Sequence, residues 1–147
     1  MNTEIKVIGL DIYGTVLASD EADNVMPPRK GIERFFDLCE SRQIRIVSAS
    51  DSDIENVKMD LESCFKRFPE RRMSVERFNY FFLMDQLPVK DFSLIVGHFD
   101  ILPRELIVIG DGWKDIGGAK RIGTKYLQVP EYTIRDGYDF DFGEIRI

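Results

Sequence analysis

Five short apolar runs, separated by stretches of helical periodicity, constrain this sequence more than any other feature. The clearest is Leu106–Ile109 (LIVI), closed by Gly110-Asp111, which reads as a strand buried on both faces. The others are the opening stretch, where Val7, Ile8 and Leu10 run into Asp11, then Ile44–Val47, Phe81–Met84 and Tyr126–Val129. Ile32, Phe35, Phe36, Leu38 and Cys39 predict a helix reaching Arg42. Ile54, Val57 and Leu61 predict another to about Phe65, capped by Asp51 or Ser52. Phe92, Ile95 and Phe99 mark a third from Lys90 to about Asp100. A fourth, with Ile116, Ala119 and Ile122 inward, spans Lys114–Ile122 and closes at Gly123. Strand alternating with helix in this way predicts a three-layer α/β/α, Rossmann-like domain on a mostly parallel five-stranded sheet.

At 147 residues the chain suits one domain with a single core. Residues 1–130 read as that core and 131–147 as a tail, in which Tyr138, Phe140 and Phe142 alternate with acids, either as an added edge strand or as loose chain. The polar stretch Leu17–Pro28 reads as a surface loop, and Ser74–Phe78 as a short helical turn. A formal net charge of −6 argues against general nucleic-acid binding and against an anionic membrane surface. The start MNTEIKV lacks a secretory pattern, and no stretch approaches the roughly 20 apolar residues of a membrane span. Cys39 and Cys64 form no CxxC pair and read as reduced packing thiols, so a cytoplasmic protein is expected.

In a parallel sheet with right-handed crossovers, all strand exits lie along one edge, where ligands bind. That edge collects Asp11, Ser48 and Asp111, and Asp115 follows Asp111 by one helical turn. Carboxylates converging without counter-charge repel one another, so a hard cation is expected among them. Mg²⁺ suits an oxygen-only ligand set best. Lys90, beside the third strand, is the natural positive partner. A dinucleotide site competes at Gly110-Asp111-Gly112, but Asp115 replaces the third glycine of GxGxxG and Asp111 would repel a pyrophosphate.

Four stretches together resemble the motifs of the haloacid dehalogenase-like superfamily of phosphohydrolases, over about Val7 to Val129. They are Asp11-Ile12-Tyr13-Gly14-Thr15-Val16, Ser48 at the end of IRIVS, Lys90, and Gly110-Asp111-Gly112-Trp113-Lys114-Asp115. The resemblance implies that Asp11 is the nucleophile, forming an aspartyl-phosphate that water hydrolyses. It implies Mg²⁺ held by Asp11, the Tyr13 carbonyl and Asp111, with Asp115 orienting water or Lys90. Ser48 and backbone N–H groups after Asp11 would bind phosphoryl oxygens, and Lys90 would neutralise charge.

Tyr13 departs from the pattern, because most phosphatases of the family carry an acid/base aspartate there. A phenol, with a reference pKa of about 10, is poorly matched to that task, so slow hydrolysis is expected. The DxYGT pattern also resembles the family's 2-haloacid dehalogenases, but those carry Ser-Asn in place of Gly110-Asp111. The intervals Asp11–Ser48 (37 positions) and Ser48–Lys90 (42 positions) leave no room for a folded cap. An uncapped site resembles members that act on large or exposed phosphoesters, or that borrow a partner protein's surface as a lid. The expected ligand is a phosphorylated small molecule or macromolecule. A catalytically silent phosphate-binding or regulatory domain is the main alternative, and dehalogenation a further one. The basic stretch Lys66, Arg67, Arg71 and Arg72 reads as a solvated helix end, Trp113 as either site border or core anchor, and His98 as non-catalytic.

Overall fold

A computed structural model of the chain describes residues 4–20 and 25–147. Its sheet has five strands: β1 (Val7–Leu10), β2 (Arg45–Ser50), β3 (Tyr80–Leu83), β4 (Leu106–Gly110) and β5 (Lys125–Gln128). They are all parallel, in the order β3-β2-β1-β4-β5. β1 is central and every one of its residues is buried, which is why its sequence is a continuous apolar run. The chain moves outward from β1 to β3 and then returns to β1's other side as β4. The crevice beyond the ends of β1 and β4 is therefore the switch point of the sheet.

Four helices cover the sheet: α1 (Ile32–Ser41), α2 (Ile54–Arg67), α3 (Ser93–Phe99) and α4 (Trp113–Ile122). On one face Phe35, Phe36 and Cys39 of α1 and Val57, Leu61 and Cys64 of α2 pack on Ile8, Leu10, Ile46 and Ile109. On the other, Ile95 of α3 and Ala119 of α4 pack with Phe92 on Val7, Val47 and Val108. The alternation of Val7 against Ile8 along β1 follows the two-residue period of a strand. Both thiols are buried and unpaired, and burial pushes each up to about 12. No helix among the described residues is long and apolar enough to cross a membrane.

Several boundaries differ from the sequence expectation. β2 continues through Ser48 to Ser50, because Ser48 pairs with Leu10 and Ser50 with Leu83. The cap of α2 consequently falls to Asp53, whose side chain accepts from Asn56 N at 3.4 Å, rather than to Asp51 or Ser52. α3 starts at Ser93, leaving Lys90 in the preceding loop. The tail adds no strand among the described residues. Its aromatics are used against α1 and the first loop instead. Phe142 meets Phe35 edge-on with centroids 5.6 Å apart, Phe140 lies under the Arg29 guanidinium, and Tyr132, Phe142 and Ile145 are buried. The Leu17–Pro28 loop lies outside the described residues at 21–24.

Of the basic stretch, Lys66 and Arg67 form the exposed end of α2 as expected, whereas Arg71 pairs with Glu33 and donates to the Pro28 and Arg29 carbonyls, and Arg72 pairs with Asp37. His98 sits among Tyr80, Phe82 and Phe99. Among the described residues, Asp11–Ser48 holds a loop and α1, and Ser48–Lys90 holds α2, short 3₁₀ turns and β3. Neither interval contains an inserted domain.

Candidate functional site

Asp11 leaves β1 still pinned to the sheet, its N–H donating to Ile109 O at 2.9 Å. The chain then closes tightly, with Thr15, Val16 and Leu17 N–H groups all donating to Ile12 O. Gly14 makes that turn at φ 82°, and a Cβ there would lie 2.5 Å from Asp111 Oδ2. Glycine is thus required twice over, by the backbone and by the neighbouring acid. Thr15 Oγ1 donates to Asp11 Oδ2 at 3.3 Å, which orients the carboxylate from below.

Lys90 reaches the same point from the opposite face. Its ammonium lies 3.1 Å from Asp11 Oδ1, 2.7 Å from the Ala49 carbonyl and 2.7 Å from Asp115 Oδ1. The last contact is an ion pair without hydrogen-bond geometry. Lys90 is almost wholly buried, and burial opposes its charge. The fields of Asp11 and Asp115 outweigh that penalty and hold the ammonium above its usual range. α4 can approach the Lys90 segment because position 118 is glycine: a Cβ there would sit 2.3 Å from the Lys90 carbonyl.

Asp11, Asp111 and Asp115 converge, each offering an oxygen within 4.8 Å of the others. Burial, and then the neighbouring Asp11 carboxylate, push Asp111 up to about 7 and Asp115 up to about 6. For Asp115 the Lys90 ammonium works in the other direction but does not offset them. An all-oxygen, carboxylate-rich cluster whose acids resist ionisation side by side fits a hard divalent cation.

These groups line a cleft of about 230 Å³ that also includes Tyr13, with Asp51, Trp113 and Lys114 around it. A larger hollow of about 920 Å³ lies at the other end of the strands, beside Lys6, Val7 and Arg45. It contains none of the converging acids, so the smaller cleft is the candidate site. Ser48 is buried in β2 beside Leu10 and is not among the cleft-lining residues. Tyr13 does line it, but its O–H donates to Asp60 Oδ2 on α2 at 2.5 Å. Burial first, then that hydrogen bond, raise the phenol above its ordinary value. Trp113 is 64% exposed, which settles it as a site border and not a core anchor.

Three supporting residues escape a reading of the sequence. Arg29 is fully buried behind the first loop, donating to the Gly14, Thr15 and Gly137 carbonyls. Tyr126 donates to the Gly110 and Gly112 carbonyls and so braces the turn that carries Asp111. Asp60 holds Tyr13. An isolated Arg, Tyr or Asp outside a motif carries no signal of such partners. The apolar neighbours of Arg29 in the tail only become its neighbours on folding.

No protein-family model matches the sequence, and no curated relative matches it. Solved structures do share its fold. CbbY from Rhodobacter sphaeroides in complex with phosphate superposes at a TM-score of 0.71, with 14% identity over 95% of this chain and 96% of that one. The N-terminal part of BF1531 from Bacteroides fragilis, containing a phosphatase domain complexed with Mg, gives 0.66 at 14% identity over 87% of this chain and 37% of that one. L-2-haloacid dehalogenase from Xanthobacter autotrophicus, with chloropropionic acid covalently bound, gives 0.62 at 12% identity over 85% and 77%.

Proposed function

Starting from a chain that has the haloacid dehalogenase-like fold, we propose that it is a phosphohydrolase in which Asp11 receives the phosphoryl group of an ester. The observation that carries this reading is the Lys90 ammonium 3.1 Å from Asp11 Oδ1. A buried cation there lets an anionic nucleophile meet an anionic phosphate, the main obstacle to the reaction. Asp11 attacks phosphorus, the bond to the leaving oxygen breaks, and water then cleaves the aspartyl-phosphate to regenerate the carboxylate. Thr15 keeps the nucleophile oriented, and Asp115 holds Lys90 in place. Phosphoryl oxygens are assigned to Lys90, to the N–H groups that follow Asp11 and to Ser48, which pairs with Leu10 next to Asp11.

Mg²⁺ would be held by Asp11, Asp111, Asp115 and the Tyr13 carbonyl, and when bound it supplies charge neutralisation at the phosphate. Burial and the neighbouring Asp11 hold Asp111 and Asp115 above the usual carboxylate range, which supports that assignment, because an added cation relieves their repulsion. A phosphorylated ligand is consistent with the phosphate bound in the CbbY structure.

Two other readings draw on specific observations. The Tyr13–Asp60 hydrogen bond favours a silent phosphate-binding domain. The likeness to a dehalogenase, together with Tyr13, favours halide release, but Asp111 and Asp115 have no evident task there. The deciding experiment is release of inorganic phosphate from acetyl phosphate and 4-nitrophenyl phosphate with Mg²⁺, beside Asp11→Asn. Release abolished in the variant supports phosphoryl transfer through Asp11. Folded, Mg²⁺-binding protein without release would move the reading to a binding domain, and Mg²⁺-independent halide release from 2-chloropropionate to dehalogenation.

A further inference from the structure

The candidate cleft is rich in acids, but three of them belong to the one converging cluster. Asp11 and Asp115 hold Lys90, and Asp111 converges with both. Tyr13 gives its O–H to Asp60 on α2. Asp51, the remaining lining carboxylate, faces Lys114 Nζ at 3.7 Å. An ester of an alkyl alcohol needs a proton on its departing oxygen, whereas a phenol-type oxygen leaves as a stabilised anion.

A second, independent feature stands beside that one. Trp113, the first residue of α4, lines the cleft with 64% of its surface exposed. An indole so exposed contributes little to the core and presents a flat face at the cleft. Lys114 Nζ stands 6.0 Å from the centre of the ring and also lines the cleft.

We propose that the substrates are aryl phosphomonoesters, whose ring stacks on Trp113 while the oxygen departs as aryloxide beside Lys114. The inference rests on the phosphohydrolase reading and gives that site its substrate class. Asp11 forms the new bond to phosphorus, the P–O(aryl) bond breaks, and its electron pair leaves with the aryloxide, which takes a proton from water. A second water then attacks phosphorus, the P–O(Asp11) bond breaks, and phosphate and the free carboxylate result. An open cleft, with no inserted domain among the described residues, admits a ring attached to a large molecule as readily as a small phenol.

The test uses the full chain with saturating Mg²⁺ and three probes: a series of ring-substituted phenyl phosphates, propyl phosphate, and acetyl phosphate as a good leaving group without a ring. The expected result is a rate that climbs with the acidity of the phenol, and phenyl over propyl phosphate by about 100-fold or more. Trp113→Ala should lower kcat/KM for phenyl relative to acetyl phosphate by about five-fold, mostly through KM. Propyl phosphate within ten-fold of phenyl phosphate would overturn the proposal, and its loss in Asp51→Asn would identify the proton donor. An unchanged phenyl-to-acetyl ratio in Trp113→Ala would overturn it too. Asp11-dependent cleavage of acetyl but not phenyl phosphate sinks this proposal alone, whereas no Asp11-dependent release from any probe sinks the phosphohydrolase reading with it.

Discussion

At the scale of single residues, one side chain separates this cleft from one with a ready acid. Tyr13 points its phenol at Asp60, so placing a carboxyl at that position should restore a proton donor. Tyr13→Asp is expected to raise turnover of alkyl phosphates by about 10²-fold, within the usual range for general acid catalysis. Steady-state phosphate release checks it, and no gain from a folded variant would refute this account of Tyr13. The paired acids make a second prediction. Asp111 and Asp115 bind protons more tightly in the fold than in the unfolded chain, so the cation-free protein takes up protons on folding. That contribution to stability is complete below pH ~4, the unfolded carboxylate value, and is lost as pH rises through 6 to 7. With chelator present, melting temperature should fall between pH 5 and pH 7.5. Adding Mg²⁺ at pH 7.5 should recover most of that loss, whereas a flat profile with chelator would contradict the convergence of these acids.

At the scale of elements, most of the candidate cleft was legible because its residues sit at strand exits, and strand exits can be read from apolar runs. Asp11 after Leu10 and Asp111 after Gly110 needed only the order of the runs and the parallel-sheet rule. Lys90 was legible as a positive partner, but not as a loop residue, because helical spacing from Phe92 to Phe99 does not show where a helix begins. Ser48 illustrates the opposite limit. The run IRIV ends before it, yet pairing with β1 and β3 carries the strand onward through three more residues, Ser48 to Ser50. Pairing is a property of the neighbours, and composition within a strand does not record it. The close approach of α4 to Lys90 was equally invisible, although it rests on one glycine. Gly118→Ala is expected to destabilise the protein by about 1–3 kcal/mol through overpacking and to weaken phosphate release by displacing Lys90. Denaturant unfolding and the phosphate assay check the two halves of that statement separately.

At the scale of the whole molecule, the sheet, its two layers and the tail behave as one packed unit. Phe142 and Ile145 belong to the same apolar cluster as β1, α1 and α2. Arg29 ties the first loop to Gly137, while Tyr132 N–H donates to Gly14 O and Ser19 N–H to Tyr132 O. Phe142→Ala should therefore cost about 3–5 kcal/mol, as for other fully buried aromatics. Unfolding followed by circular dichroism would measure it, and a cost below about 1 kcal/mol would show the tail to be peripheral. None of this was legible beforehand, because the alternating aromatics of the tail fit an edge strand as well as a strap.

The Gly14 contacts have a consequence for how the molecule comes into being. Translation delivers Asp11 and its turn long before Tyr132 and Gly137. The carbonyl of Gly14 and the guanidinium of Arg29 wait for partners at Tyr132 and Gly137, more than a hundred positions later. The turn that carries Asp11 is thus made well before the segment that completes it. A nascent chain halted before those positions would carry every residue of the candidate cleft and still lack the frame that shapes it.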